Sequence, residues 1–190
     1  LPLFQAAANV FLYITDKGMV RNRATHTWPD EVKLAAPRGA EWPDDTARPL
    51  TAEGVDRFRE VVSGFGSLDV RLDRIFTSPL VRARQTAQIL AEGVQGQPPV
   101  KILDALSPGV DPEGLMSRLP RRSAAGRVAL VGHEPDLGEL AAYLIGAARA
   151  LPFKKGGICR IDVASAASRF EGTLVWFATP KILRALNLRP

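Results

Sequence analysis

The chain lacks most of the residues around which common chemical scaffolds are built. Its 190 residues contain one cysteine, Cys159, and two histidines, His26 and His133. A single cysteine excludes an internal disulfide and fits a reducing, cytoplasmic setting. With so few His and Cys, all far apart, a structural zinc site is not expected. No apolar run approaches the roughly 20 residues of a membrane span. No dense Lys/Arg tract with interleaved aromatics appears, which argues against nucleic acid as a partner. There is no Gly-x-Ser-x-Gly elbow and no Gly-Lys-Ser/Thr phosphate loop. Cys159 is followed directly by Arg160, without the loop of a cysteine phosphatase, and reads as a strand thiol packed with Ile161 and Val163. The opening residues Leu1 to Gly18 carry no basic leader and are interrupted by Asn9, so they do not read as a signal peptide. The first residue is Leu1 rather than Met, and the start reads as a fragment edge or a mis-set boundary.

What is present suits one soluble domain with a sizeable core. Hydrophobic residues make up 46% and charged residues 24%, and the net charge is +5. A modest positive excess suits phosphate-bearing ligands but is also common in plain soluble proteins. "NVFLYIT", residues 9–15, reads as a buried strand. Residues 16–50 are irregular, with Pro29, Pro37, Pro43 and Pro49 among many charges. Thr51 is a good N-cap with Glu53 in the first turn. Val55, Phe58, Val62 and Phe65 then form one helical stripe. "RLDRIFTSP" centres a strand on Ile75 and Phe76. Ser78 is expected to cap the next helix, with Pro79 at its first position and Leu80, Ala83, Ala87 and Leu90 as its stripe. "PVKILDAL" gives a short strand, and residues 111–119 a short helix.

"RVALVG" is a continuous apolar run, as in a strand buried on both faces of a parallel sheet. Pro135 is placed at the first position of a helix with the stripe Leu137, Leu140, Ala141, Leu144 and Ile145. "GGICRIDV" and "GTLVWFATP" read as adjacent strands with Arg169, Glu171 and Gly172 between them. A last helix is expected over residues 180–187. Strands alternating with amphipathic helices predict an α/β sandwich with a mainly parallel sheet, whose ligands bind beyond the carboxyl ends of the strands.

Two strand-to-helix junctions therefore carry the candidate chemistry, Thr77-Ser78-Pro79-Leu80-Val81-Arg82 and Gly132-His133-Glu134-Pro135. Helix N-termini attract anions, and a guanidinium grips phosphate with two parallel hydrogen bonds. Gly132 is expected to give His133 the freedom to reach the mouth of the crevice. On position alone, a histidine after a strand is as a rule a hydrogen-bonded structural residue. Arg82, with Arg71, Arg74 and Arg84, could be a solvated face. It is the pair of junctions, both facing one crevice, that points to a phosphate pocket of Arg82, His133 and Ser78.

These residues resemble a known family. "TSPLVRARQTAQIL" is similar to the Ser-Pro-x-x-Arg-x-x-Gln-Thr-Ala segment of the histidine phosphatase, or phosphoglycerate mutase-like, superfamily. "LVGHEPDLGELAAYL" resembles its second histidine motif as found in phosphohistidine phosphatases of the SixA type. "EWPDDTARPLTAEG", "KKGGICRID" and "TLVWFATPKILRAL" extend the likeness over residues 38–188. The resemblance implies one three-layer α/β/α domain spanning residues 1–190. It implies hydrolysis of phosphohistidine or a small phosphomonoester through a phosphohistidine intermediate, with Arg82 as phosphate clamp, His133 as second pocket histidine, and no metal or organic cofactor. The partner is then a phosphorylated small molecule or a phosphohistidine protein. The oligomeric state is not specified.

The likeness breaks at the nucleophile, which should lie in an Arg-His-Gly motif after the first strand. If "LYI" is that strand, Asp16 stands in the place of the arginine and Lys17 in that of the histidine. A carboxylate there repels phosphate, and an ordinary lysine is protonated and not nucleophilic at neutral pH. His26, in Arg23-Ala24-Thr25-His26-Thr27, lacks the flanking Arg and Gly. Three readings stay open: an inactive relative that still binds phosphate, an altered site using His26 with Arg21 or Arg23, or a non-native stretch up to residue 36. Residues 16–36 are accordingly atypical, flexible or non-native; if ordered, they are expected to lie over the crevice. The acid for the leaving group is a choice by type among Glu134, Asp44 and Asp45, and Lys154 and Lys155 are read as a solvated loop.

Overall fold

The alternation of short apolar runs with amphipathic stripes builds a sheet covered on both faces. A computed structural model describes residues 7–17, 35–119, 126–166 and 169–187, with the backbone alone for 7–17, 164–166 and 169–171. Six strands, β1 (Ala7–Lys17), β2 (Arg74–Thr77), β3 (Val100–Ile102), β4 (Arg127–Glu134), β5 (Ile158–Ala166) and β6 (Arg169–Ala178), form one sheet in the order β3-β2-β4-β1-β5-β6. Strands β3, β2, β4 and β1 are parallel; β5 runs antiparallel to β1, and β6 antiparallel to β5. The sheet is mainly parallel, as the alternation of elements predicts.

The helices are α1 (Ala52–Gly66), α2 (Val81–Gly93), α3 (Pro112–Arg118), α4 (Asp136–Ile145) and α5 (Pro180–Leu186). One face of the sheet buries Phe58, Val62 and Phe65 of α1, Ala83, Ala87 and Leu90 of α2, and Leu183 of α5 against Ile75, Ala129 and Val131. The other buries Leu115 of α3 and Leu137, Leu140, Ala141 and Leu144 of α4 against Phe76, Val128 and Leu130. Successive residues of β4 thus enter opposite cores, which is why its sequence is apolar without interruption. Cys159 is buried in the second core beside Ile161 and Val163. The architecture is a three-layer α/β/α sandwich.

Local chemistry explains several boundaries. Thr51 Oγ1 accepts from Gly54 N at 2.8 Å, the N-cap its position predicts. Thr179 caps α5, with Pro180 at its first position. Three expectations are corrected. Helix α2 begins at Val81, not Pro79, because the Ser78 hydroxyl accepts from Leu80 N outside the helix proper. Pro135 is the N-cap of α4 rather than its first residue. Arg169, Glu171 and Gly172 belong to β6, since the antiparallel ladder runs out to the Ala166–Arg169 pair. No helix among the described residues is long and apolar enough to cross a membrane.

Candidate phosphate-binding site

Strands β2, β4 and β1 are parallel, so their carboxyl ends open on one side of the sheet. Ser78 follows β2, and its N–H donates to Val131 O of β4 at 3.0 Å. That bond sets the two junctions side by side. His133 Nε2 and Ser78 Oγ then lie 2.9 Å apart, with Ser78 fully buried and His133 3% exposed. The serine oxygen also accepts from Leu80 N at 3.3 Å. Ser78 therefore holds the His133 imidazole in place; this orienting contact is what the structure gives the residue expected to bind phosphate.

Gly132 has a role different from the flexibility expected of it. It lies inside β4, and a Cβ there would sit 3.2 Å from Leu137 Cγ. A glycine lets Leu137 of α4 pack directly on the strand that carries His133.

Arg82 is 2% exposed, whereas Arg71 and Arg84 are exposed, so Arg82 is not part of a solvated face. Its Nη1 donates to Asp45 O at 2.6 Å and its Nη2 to Asp45 Oδ2 at 2.9 Å. Asp45 Oδ1 in turn accepts from Arg38 Nε and Arg48 Nε, each at 3.0 Å. Arg48 is buried and spans to Ala36 O at 2.7 Å. The segment carrying Asp45 is docked on α2: Val81 N donates to Thr46 O at 3.0 Å and Leu50 N to Gln85 Oε1 at 2.7 Å. The N–H of Val81, at the start of α2, is thus already bonded within the chain. Gln85 and Thr86, whose Oγ1 donates to Arg82 O at 2.9 Å, brace the motif.

The carboxyls proposed as acids by residue type now separate. Burial pushes Asp45 up, but the Arg38 hydrogen bond and the charges of Arg82 and Arg48 outweigh it and hold the carboxyl at about 2. Asp44 accepts from the Thr46 hydroxyl and N–H, which lowers it. Neither holds a proton at neutral pH. Glu134 is buried, and its Oε1 accepts from Phe153 N at 3.3 Å, tying the exposed Lys154 turn to the end of β4. Asp136, which sequence reasoning passed over, is pushed up by burial against a lowering hydrogen bond from Gly109 N. Arg48 was also passed over; its only signal was its place in "DDTARPLT".

Because the folded carboxyl of Asp45 lies below its ordinary value of 3.8, its contribution to stability is complete above that value and is lost as pH falls towards 2. Acid unfolding followed by circular dichroism should show Tm falling between about pH 4 and 2 in wild type and less in Asp45→Asn. The difference is muted by solvent, since the side chain is 42% exposed.

The end of β1 completes the crevice. Ile14 pairs with Gly132, Asp16 with His133 and Lys17 with Glu134, with an irregularity between Ile14 and Asp16. "LYI" is thus part of the strand beside the one that bears His133, and after Thr15 that strand ends on Asp16 and Lys17. His26, and residues 18–34 of the segment expected over the crevice, lie outside the described residues. Among the described residues no group of His, Cys, Asp and Glu is arranged to hold a metal ion.

Comparison with known proteins bears on the family and the fold. Residues 38–107 match the model of the histidine phosphatase superfamily (branch 1). An uncharacterized protein of Picosynechococcus sp. is 39% identical over 142 residues, covering 73% of this chain and 84% of the relative. The phosphohistidine phosphatase SixA of Escherichia coli is 26% identical over 139 residues, covering 72% and 84%. The solved structure of the protein histidine phosphatase SixA complexed with tungstate superposes with a TM-score of 0.71 at 23% identity, over 91% of this chain and 97% of that one.

Proposed function

The chain belongs to the histidine phosphatase superfamily, and from that premise we propose that it binds the phosphoryl group of a phosphohistidine or small phosphomonoester without turning it over. Arg82 is the clamp. His133, oriented by Ser78, is the second group on the phosphoryl oxygens. The observation that carries this reading is the register of β1: Asp16 and Lys17, not arginine and histidine, stand beside His133 and Glu134. A protonated lysine can pair with an anion but offers no lone pair to phosphorus.

A second reading is hydrolysis with His26 as a displaced nucleophile.

Calorimetric titration with inorganic phosphate, run beside hydrolysis of an aryl phosphate, separates the readings. Binding without turnover above background is expected. Arg82→Ala should weaken phosphate at least tenfold, roughly the loss of one charge-assisted pair of hydrogen bonds. Turnover abolished by His26→Ala would instead establish the second reading, and phosphate affinity unchanged in Arg82→Ala would overturn the pocket.

A further inference from the structure

We propose that Asp45 is the specificity determinant of the phosphoryl clamp, its carboxylate competing for Arg82 and making the crevice prefer singly charged phosphoryl groups to doubly charged ones. The inference rests on Arg82 being the clamp. Both the carbonyl and the carboxylate of Asp45 are bonded to the two terminal nitrogens of that guanidinium, at 2.6 and 2.9 Å. A phosphoryl oxygen bonded to the same guanidinium must lie within about 6 Å of a full negative charge. The carboxylate cannot simply be neutralised to relieve this, because Arg38 and Arg48 hold its other oxygen. Nor is it free to leave, since the segment bearing it is pinned to α2 through Thr46 O and Leu50 N.

Each negative charge on the ligand therefore meets a fixed opposing one. The charged groups around Asp45 are Arg38, Arg48 and Asp44 on its own segment and Arg82 from α2; His133 of β4 belongs to the same proposed pocket. Asp45 stays ionised throughout the pH range in which a phosphoryl group takes its second charge, so any change over that range comes from the ligand or from groups common to wild type and variant. Arg82 thus supplies affinity and Asp45 limits it according to ligand charge. These are different tasks within one buried contact.

The test is titration of the intact chain with inorganic phosphate at about pH 5.5, where the monoanion dominates, and at about pH 8, where the dianion does. Asp45→Asn should tighten binding about fivefold at the lower pH and about twentyfold at the higher, the gain growing with ligand charge. Asp45→Ser should shift affinity in the same direction, which guards against an effect peculiar to the amide. Weaker binding in both variants, or an equal gain at the two pH values, overturns the proposal and makes Asp45 a positioning residue for Arg82. Arg82→Ala is run in parallel: if it binds phosphate as wild type does, the clamp itself is misassigned whatever Asp45 does. Absence of binding in every protein overturns both.

Discussion

The double variant Asp16→Arg, Lys17→His should hydrolyse an aryl phosphate on the order of a thousandfold faster than the wild-type chain. In a hydrolase, removing the nucleophile costs on the order of a millionfold in kcat, and an installed group recovers only part of that. The expectation follows from the parallel register of β1 and β4, which places positions 16 and 17 beside His133 and Glu134. The following residue in the sequence is already Gly18, so two substitutions restore an Arg-His-Gly triplet. An imidazole at position 17 supplies the lone pair for phosphorus that a protonated lysine lacks. A guanidinium at position 16 adds a second arginine for the phosphoryl oxygens. The phosphoenzyme should be trapped by acid-sensitive labelling, and His133→Ala in the same background should abolish it. Phosphate binding equal to wild type with no gain in turnover would show that the end of β1 does not face the reacting phosphorus.

The second large effect is on stability and lies far from the crevice. Gly64→Ala should lower Tm by about 6–12 °C, from an overpacking cost of about 3 kcal/mol in a chain of this size. A Cβ on Gly64 would stand 1.8 Å from Leu183 O and 2.6 Å from Leu183 C, both backbone atoms of α5. No rotamer change relieves a clash with backbone, so α5 must move away from α1. That movement breaks two contacts outside the core. The Ser63 hydroxyl donates to Asn187 Oδ1 at 2.7 Å, and Asn187 Nδ2 donates to Glu60 O at 3.2 Å. It also withdraws Leu183 from the core it shares with Phe58 and Phe65. Thermal unfolding with and without the substitution measures the effect, and a Tm within about 2 °C of wild type would refute so close an approach of the helices.

The sequence was most readable where burial is periodic. Phe58, Val62 and Phe65, Ala83, Ala87 and Leu90, and the run through Leu130 and Val131 each announce an element because its packing face is fixed by geometry. The pairing of the two strand-end motifs was readable for the same reason. Strand order follows from parallel crossovers, and carboxyl ends then share one side. The contacts of Asp45 with Arg38, Arg48 and Arg82 were not readable. They tie an irregular segment to an arginine 37 positions away, and no periodicity reports how a loop docks. The start of α2 was misread because Ser78 serves His133 across the sheet, a tertiary demand that local capping preference does not contain. Gly64 gave no signal either. A glycine within an amphipathic stripe looks like a weak helix residue until the neighbour that needs its missing side chain is known.

The position of β1 in the sheet bears on how the chain is assembled. It lies between β4 and β5, with Asn9 paired in register with Arg127 on one side and Asp162 on the other. Both neighbours are synthesised more than a hundred residues later, so a nascent chain carries this strand with neither edge paired until β4 has been made. Such long-range closure slows folding and prolongs exposure of an aggregation-prone segment.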